Sequence, residues 1–289
     1  MPFAPPAGSE LVQYLGAGTV FDVALVREQS SPEAAGGSAL ICKRLTPRVL
    51  REPAGRAAIL REARVLRIAR HPALPGLIRV GADGHGPFVI ETRTEGISLR
   101  RLVDGWRSRV GGVPPLLAAH IARESTEALE QIHAIEDDGG PLAMVHGDLG
   151  PDNMIFGPLG QIGVIDLGAA RWRGMDADLI TADRGTLPFV APEVARGDEP
   201  PSAAADVYAL AATLLYVATG VWPVDASEPA AMLIEVGERG VRVDRIEQAV
   251  AFGPEQRRAL AAALAFDRGA RAATARALRE AFSAPRRGE

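Results

Sequence analysis

The sequence predicts an α+β protein in two parts, a small β-rich part over residues 9–94 carrying one helix and a larger, mainly helical part over residues 95–285. Three observations carry this reading. Up to about residue 95, apolar residues come in short runs separated by Gly, Pro and Ser, the pattern of strands and turns. A single stretch of helical periodicity, Ala57 to Ala69, interrupts those runs. From Leu99 onward long helical patterns dominate, and 289 residues leave room for two cores.

In chain order, Leu11–Leu15 and Val20–Val26 read as strands around a Gly-x-Gly turn. Ala39–Leu45 follows a Ser/Pro/Gly-rich loop, Gln29 to Ser38, and reads as a buried strand. The helix Ala57–Ala69 repeats Ile59/Leu60, Ala63, Leu66 and Ile68/Ala69, and stops at His71-Pro72 because proline disfavours helix in the residue before it. Arg61, Arg64, Arg67 and Arg70 alternate with these apolar residues and read as a solvated helix face. Leu77–Val80 and Phe88–Ile90 are two further strands, split by the turn-rich stretch Gly81 to Pro87. Leu116–Ile135, Ala203–Ala218 and Gln256–Phe266 are amphipathic helices. Met144 to Arg171 is a loop-and-strand region dense in Gly, Asp and Asn, and Trp172–Gly185 reads as an irregular surface loop.

Composition narrows the function classes. Apolar content of 47%, charged content of 24% and a net charge of −4 suit a globular protein with no nucleic-acid partner. No apolar run reaches the length of a membrane span, and Met1–Glu10 lacks the charged start and apolar core of a leader. The single cysteine, Cys42, can form no internal disulfide and reads as a small buried residue, so the expected location is a reducing cytoplasm.

The chemistry-bearing residues fall in two stretches. Of 32 lysine and arginine residues only Lys43 is lysine, and it ends the apolar strand Ala39–Lys43. A compact ammonium is not interchangeable with a planar guanidinium, and an ammonium in such a place most often meets phosphate. His146-Gly147-Asp148-Leu149-Gly150-Pro151-Asp152-Asn153 and Asp166-Leu167-Gly168 supply oxygen donors at loop positions, a set that suits a hard cation such as Mg²⁺. Asp148 is a carboxylate able to orient a hydroxyl or accept its proton.

These stretches, in this order, resemble the eukaryotic-type (Hanks-type) Ser/Thr protein kinase family across nearly the whole chain. Leu15 to Val23, with Gly16 and Gly18, resembles the glycine-rich loop over ATP phosphates, and Lys43 and Glu62 match the strand lysine and its helix glutamate. His146–Asn153 resembles the catalytic loop, and Asp166–Gly168 the metal-binding motif. Gly185 to Glu193 looks like the end of an activation segment, Asp206–Leu210 through Thr219–Pro223 like the buried helix of the larger lobe, and Arg271 like the partner of Glu193. The resemblance implies one bilobal domain over residues 1–289 that uses ATP and Mg²⁺ to phosphorylate Ser or Thr of a protein substrate. It implies nucleotide contacts from Gly16, Gly18, Val23, Lys43, Thr92 and Thr94, metal ligation by Asn153 and Asp166, and catalysis by Asp148 with Lys43 and Glu62. Glu193, Asp206 and Arg271 would be structural.

Departures from the family pattern bear on activity. Phe21 replaces the third loop glycine, and Ile41 stands where a small alanine usually faces the adenine. The hinge alignment puts either Glu91 or, one residue shifted, Ile90 at the gatekeeper; a buried Glu91 would need a partner, with Lys43 a candidate. Gly150 replaces a lysine that contacts the γ-phosphate, and Gly147 an arginine that binds a phosphorylated activation loop, which argues against control through Thr181 or Thr186. Two alternatives follow: a pseudokinase that binds nucleotide or a partner protein without efficient turnover, and a small-molecule phosphotransferase, since His-Gly-Asp also occurs in aminoglycoside and choline phosphotransferases.

Overall fold

The structure is a computed structural model that describes residues 3–29, 39–180, 185–271 and 274–283. Most of the loop expected at Gln29–Ser38, and Thr181, lie outside the described residues. Two compact units emerge, one of residues 3–94 with 174–180, the other of residues 95–173 with 185–283.

The first unit is a five-stranded antiparallel sheet with one helix. Its strands are β1 (Ser9–Ala17), β2 (Phe21–Glu28), β3 (Leu40–Leu45), β4 (Leu77–Asp83) and β5 (Gly86–Thr92), in the order β1-β2-β3-β5-β4. Residues directly opposite one another in a ladder share a face, and alternate residues switch face. Lys43 lies opposite Val23 on one side and Val89 on the other, while Ile41 faces Glu91. The neighbouring register, Cys42 opposite Ile90, turns to the other face and joins Val26 and Phe88 in a buried cluster. Cys42 is fully buried there, and desolvation pushes its thiol up to about 12, so it behaves as an apolar residue.

Helix α1 (Pro53–Ile68) starts earlier than the periodicity indicates, because Pro53 occupies its first turn, where the missing N–H costs nothing. The stretch Gly81–Pro87 is mostly strand, with only Gly84 and His85 left to turn between β4 and β5.

The second unit begins with β6 (Ile97–Ser98), α2 (Leu99–Val110) and α3 (Pro115–His133), continues through β7 (Glu136–Asp137), β8 (Gly140–Pro141), β9 (Met154–Phe156) and β10 (Ile162–Val164), and ends in α4 (Pro192–Arg196), α5 (Ala203–Thr219), α6 (Pro229–Arg239), α7 (Pro254–Ala263) and α8 (Ala275–Ser283). Ser98 and Ser202 cap α2 and α5, their hydroxyls accepting from the Arg101 and Ala205 amides at 3.4 and 3.2 Å. Gly111 and Gly220 end the same helices at φ 86° and 67°, where a side chain would be strained. Helix α5 departs from the expected amphipathic pattern: every residue from Ala205 to Val217 is buried. A helix apolar all round belongs in the centre of a core, and α5 occupies that place here. Among the described residues no helix is long and apolar enough to cross a membrane.

Candidate active site

Lys43 extends from the middle strand of the first unit toward α1. Its ammonium forms a buried ion pair with Glu62 Oε1 and stands 3.2 Å from Glu91 Oε1. All three side chains are almost wholly buried. The Phe21 ring centroid lies 5.8 Å from the same Nζ, so the residue standing for the third loop glycine is a wall beside the lysine. The sheet register decides the hinge alignment: Glu91 shares the face of Lys43, and Ile90 packs with Cys42 behind it.

The remaining residues of the expected nucleotide set occupy the sheet as follows. Gly16 is in β1 at φ 139°, and the Gly18 amide donates to the Phe21 carbonyl at 2.7 Å. Val23 lies beside Lys43 across the ladder. Thr92 is tied to Gly76 twice, its amide donating to the Gly76 carbonyl at 2.9 Å and its hydroxyl accepting from the Gly76 amide at 2.8 Å. Thr94 follows as the last residue of the first unit's continuous part.

In the second unit the loop His146–Asn153 is bolted down from below by Asp206 of α5. Its carboxylate accepts from the amides of His146 at 2.8 Å and Gly147 at 2.9 Å, and it also meets His133 Nε2 at 3.0 Å. The Asp148 amide donates to His146 Nδ1 at 3.2 Å, which leaves Nε2 as the protonated nitrogen donating to the Ile165 carbonyl at 3.0 Å. The Asn153 side-chain amide donates to the Asp148 carbonyl at 2.8 Å and its carboxylate at 3.2 Å. These contacts bring Asp148 and Asn153 together. Desolvation by burial raises the Asp148 carboxyl to about 7; hydrogen bonding from Thr186 and Asn153 opposes that rise, and the charge of Asp166 adds to it.

Asp166 holds a left-handed backbone at φ 67°, uncommon for a residue other than glycine and a mark of local strain. Its carboxylate and the carboxamide oxygen of Asn153, whose nitrogen is committed to Asp148, are both hard oxygen donors, and the Ile165 amide beside Asp166 donates to the Asn153 carbonyl at 2.9 Å. Among the described residues no three His, Cys, Asp or Glu side chains gather at metal-ligand spacing. An open pair of oxygen donors still fits Mg²⁺, which keeps several waters and shares phosphate oxygens rather than entering an all-protein cage.

The two glycines that replace family cations differ. Gly147 has φ 79°, and a Cβ there would stand 2.5 Å from the Ala169 carbonyl oxygen, so the backbone demands glycine. Gly150 has no such φ, and a Cβ would meet Phe189 and Thr186 at 3.8 and 4.0 Å, ordinary contact distances. Farther out, Arg271 grips Glu193 with two bonds of 2.7 and 2.6 Å and stacks over Tyr208 at 4.9 Å. Burial pushes the Glu193 carboxyl up, but the bonds and charge of Arg271 outweigh it and hold it below its ordinary value.

One expectation fails and exposes a residue that sequence reading missed. Arg61 is not on a solvated face: it is 1% exposed, and its guanidinium donates to the Leu179 carbonyl at 2.9 Å. Arg64, one turn on, pairs with Asp176 at the surface. The stretch 174–180 is mostly exposed, as expected of a surface loop, but it is tethered to α1. It carries a short 3-10 turn, Ala177–Leu179, whose buried Leu179 rests against α1. Helix α1 thus holds Lys43 through Glu62 and residues 176–179 through its arginines.

Comparison with known proteins agrees with this geometry. The model of the protein kinase domain matches residues 9–282. Serine/threonine-protein kinase PknB of Mycobacterium tuberculosis is 28% identical over 82% of this chain, and that of Mycobacterium leprae is 28% identical over the same share. The Mycolicibacterium smegmatis PknB is 27% identical over 77%. The chain spans only 34–36% of the length of these relatives. With a domain match that runs through both units and every motif described above, the chain belongs to the protein kinase domain family.

Proposed function

We propose that this chain transfers the terminal phosphoryl group of ATP to Ser or Thr hydroxyls of a protein substrate, as the names of its relatives suggest. The observation that carries the reading is Asp148, a half-buried carboxylate that accepts from Asn153 on a loop whose backbone is anchored by Asp206 of α5. In this reading Lys43 binds the α- and β-phosphates and Glu62 aims it. Gly16, Gly18 and Val23 cover the nucleotide, and Thr92 and Thr94 meet its base. Asn153 and Asp166 hold Mg²⁺, whose charge offsets what develops on the phosphoryl group. Asp148 orients the acceptor hydroxyl and takes its proton; a carboxyl titrating near neutrality is suited to that exchange. The lone buried thiol of Cys42 agrees with a reducing cytoplasmic setting.

Purified protein incubated with Mg-ATP and a generic protein acceptor tests this directly. Phosphoserine or phosphothreonine should form with wild type and be lost in Lys43→Met. No transfer by wild type, or equal transfer by the variant, would sink the reading.

A further inference from the structure

Glu91 is a carboxylate that the sheet does not require. Its cross-strand neighbour is Ile41, the next residue on its face of β5 is Val89, and an apolar side chain would continue that face. A carboxylate 2% exposed is costly to bury, and here it stands beside a lysine already paired with Glu62. An ammonium has three N–H donors. Two of its directions are taken by Glu62 and Glu91, and the Phe21 ring stands close by on another side. Any phosphate that reaches Lys43 must come within hydrogen-bond distance of Nζ, and therefore within roughly 6 Å of the Glu91 oxygen.

We propose that Glu91 sets the charge selectivity of the nucleotide site, opposing phosphate at Lys43 more strongly the more negative the ligand. The inference rests on the reading of Lys43 as a phosphate-binding residue and goes beyond it. Two like charges about 6 Å apart in a medium of effective dielectric near 20 repel enough to change an affinity by roughly a hundredfold. Competition by solvent, salt and the shared ammonium reduces this, so an effect of about tenfold is expected. The gain on removing Glu91 should be largest for metal-free ATP, smaller for ADP and Mg-ATP, and absent for adenosine. Glu62 differs from Glu91 because it sits on α1 and ties the lysine to that helix, whereas Glu91 lies in the same sheet as Lys43.

The test is titration calorimetry of wild type, Glu91→Gln and Glu91→Met with adenosine, ADP, metal-free ATP and Mg-ATP at fixed ionic strength. Thermal melting confirms that each variant folds, and the methionine variant serves if the glutamine one does not. Glu91→Gln should bind metal-free ATP about tenfold tighter and adenosine as wild type does, and high salt should shrink the difference. Unchanged ATP affinity, or an equal gain for adenosine and ATP, overturns the inference while leaving nucleotide binding intact. If no nucleotide binds either wild type or the variants, the phosphate reading of Lys43 falls and the inference falls with it.

Discussion

Lys43 and Asp148 stand in opposite electrostatic surroundings. In the first unit one ammonium has two buried carboxyl groups on it, and all three side chains project from a strand or a helix. In the second, the charge of Asp166 adds to the cost of ionising Asp148, and the loop His146–Asn153 carries no lysine or arginine. The first cluster sets two carboxylates on its one ammonium before any ligand arrives. In the second, the only cation pairing with the loop His146–Asn153 among the described ion pairs is Arg100, on Asp152 rather than on Asp148. Regular elements can hold a crowded ion cluster because strand and helix fix the side chains independently. Loops hold like charges together only when something beneath them is rigid, and here that is Asp206 on the buried helix α5.

The largest effect expected from breaking this asymmetry is at Asp148. Asp148→Asn keeps the shape of the side chain and removes the proton acceptor, so turnover should fall by roughly 10²- to 10⁴-fold. Metal-free ATP affinity should stay near that of wild type, because Lys43 and its partners lie in the other unit. Single-turnover rates together with nucleotide titration separate the two. A variant that lost nucleotide binding and turnover in equal measure would mean that Asp148 holds the site together rather than acting on the hydroxyl.

A second break concerns the scaffold of the second unit. Arg271→Met strands Glu193 in a buried place without its partner, and removing one side of a buried pair costs about 3–5 kcal/mol. Denaturant unfolding of both proteins measures it. The acid dependence follows from the sign of the shift. Glu193 titrates below its ordinary value of about 4.5, so its contribution is complete above that value. It drains away as pH falls through the lower, folded value. Wild type should therefore lose its advantage over Arg271→Met as pH drops below about 4.5, and an advantage that grew on acidification would contradict the pairing.

How much of this was legible in the chain differs between the same two regions. Short strands, the helix ahead of His71-Pro72, and the motif order could all be read from local pattern, since each depends on neighbours in sequence. Arg61 could not. Spacing of three residues advances about 300° around a helix, so Arg61 and Arg70 sit half a turn apart and cannot share one solvated face. That rotation was the available signal, but nothing local names the Leu179 carbonyl, 118 residues on, as its partner. The choice between Glu91 and Ile90 likewise needed the cross-strand register, because alternation places the two on opposite faces without saying which face holds Lys43. Periodicity alone misjudges helix α5, which the family resemblance reads as buried: its polar positions, Asp206 and Thr213, are buried ones, and a pattern of polarity cannot separate a solvated residue from a buried, bonded one.

The smallest expected effect sharpens the contrast most, because it asks whether the second unit's missing cation is a matter of space. Gly147 and Gly150 both stand where the family usually has a positive side chain, yet only Gly147 is fixed by its backbone. Gly147→Arg would force a side chain into a left-handed conformation against the Ala169 carbonyl, so it should cost about 1–3 kcal/mol of stability and restore nothing. Gly150→Lys meets only ordinary contacts at its first carbon and also relieves the unfolded chain of glycine's freedom. A lysine there would place an ammonium near the Asp148–Asn153 loop, and a transition-state cation is worth up to roughly 10²- to 10³-fold in rate where it is preorganised. A flexible lysine surrenders rotamer entropy to reach its place, so a gain of about tenfold in kcat is the expectation, with the ATP KM little changed. A tighter KM without a faster kcat would mean that the new charge binds ground-state phosphate only. No change in either, in a variant that melts like wild type, would mean that another cation already fills the role and that the loop is less exposed in charge than its sequence suggests.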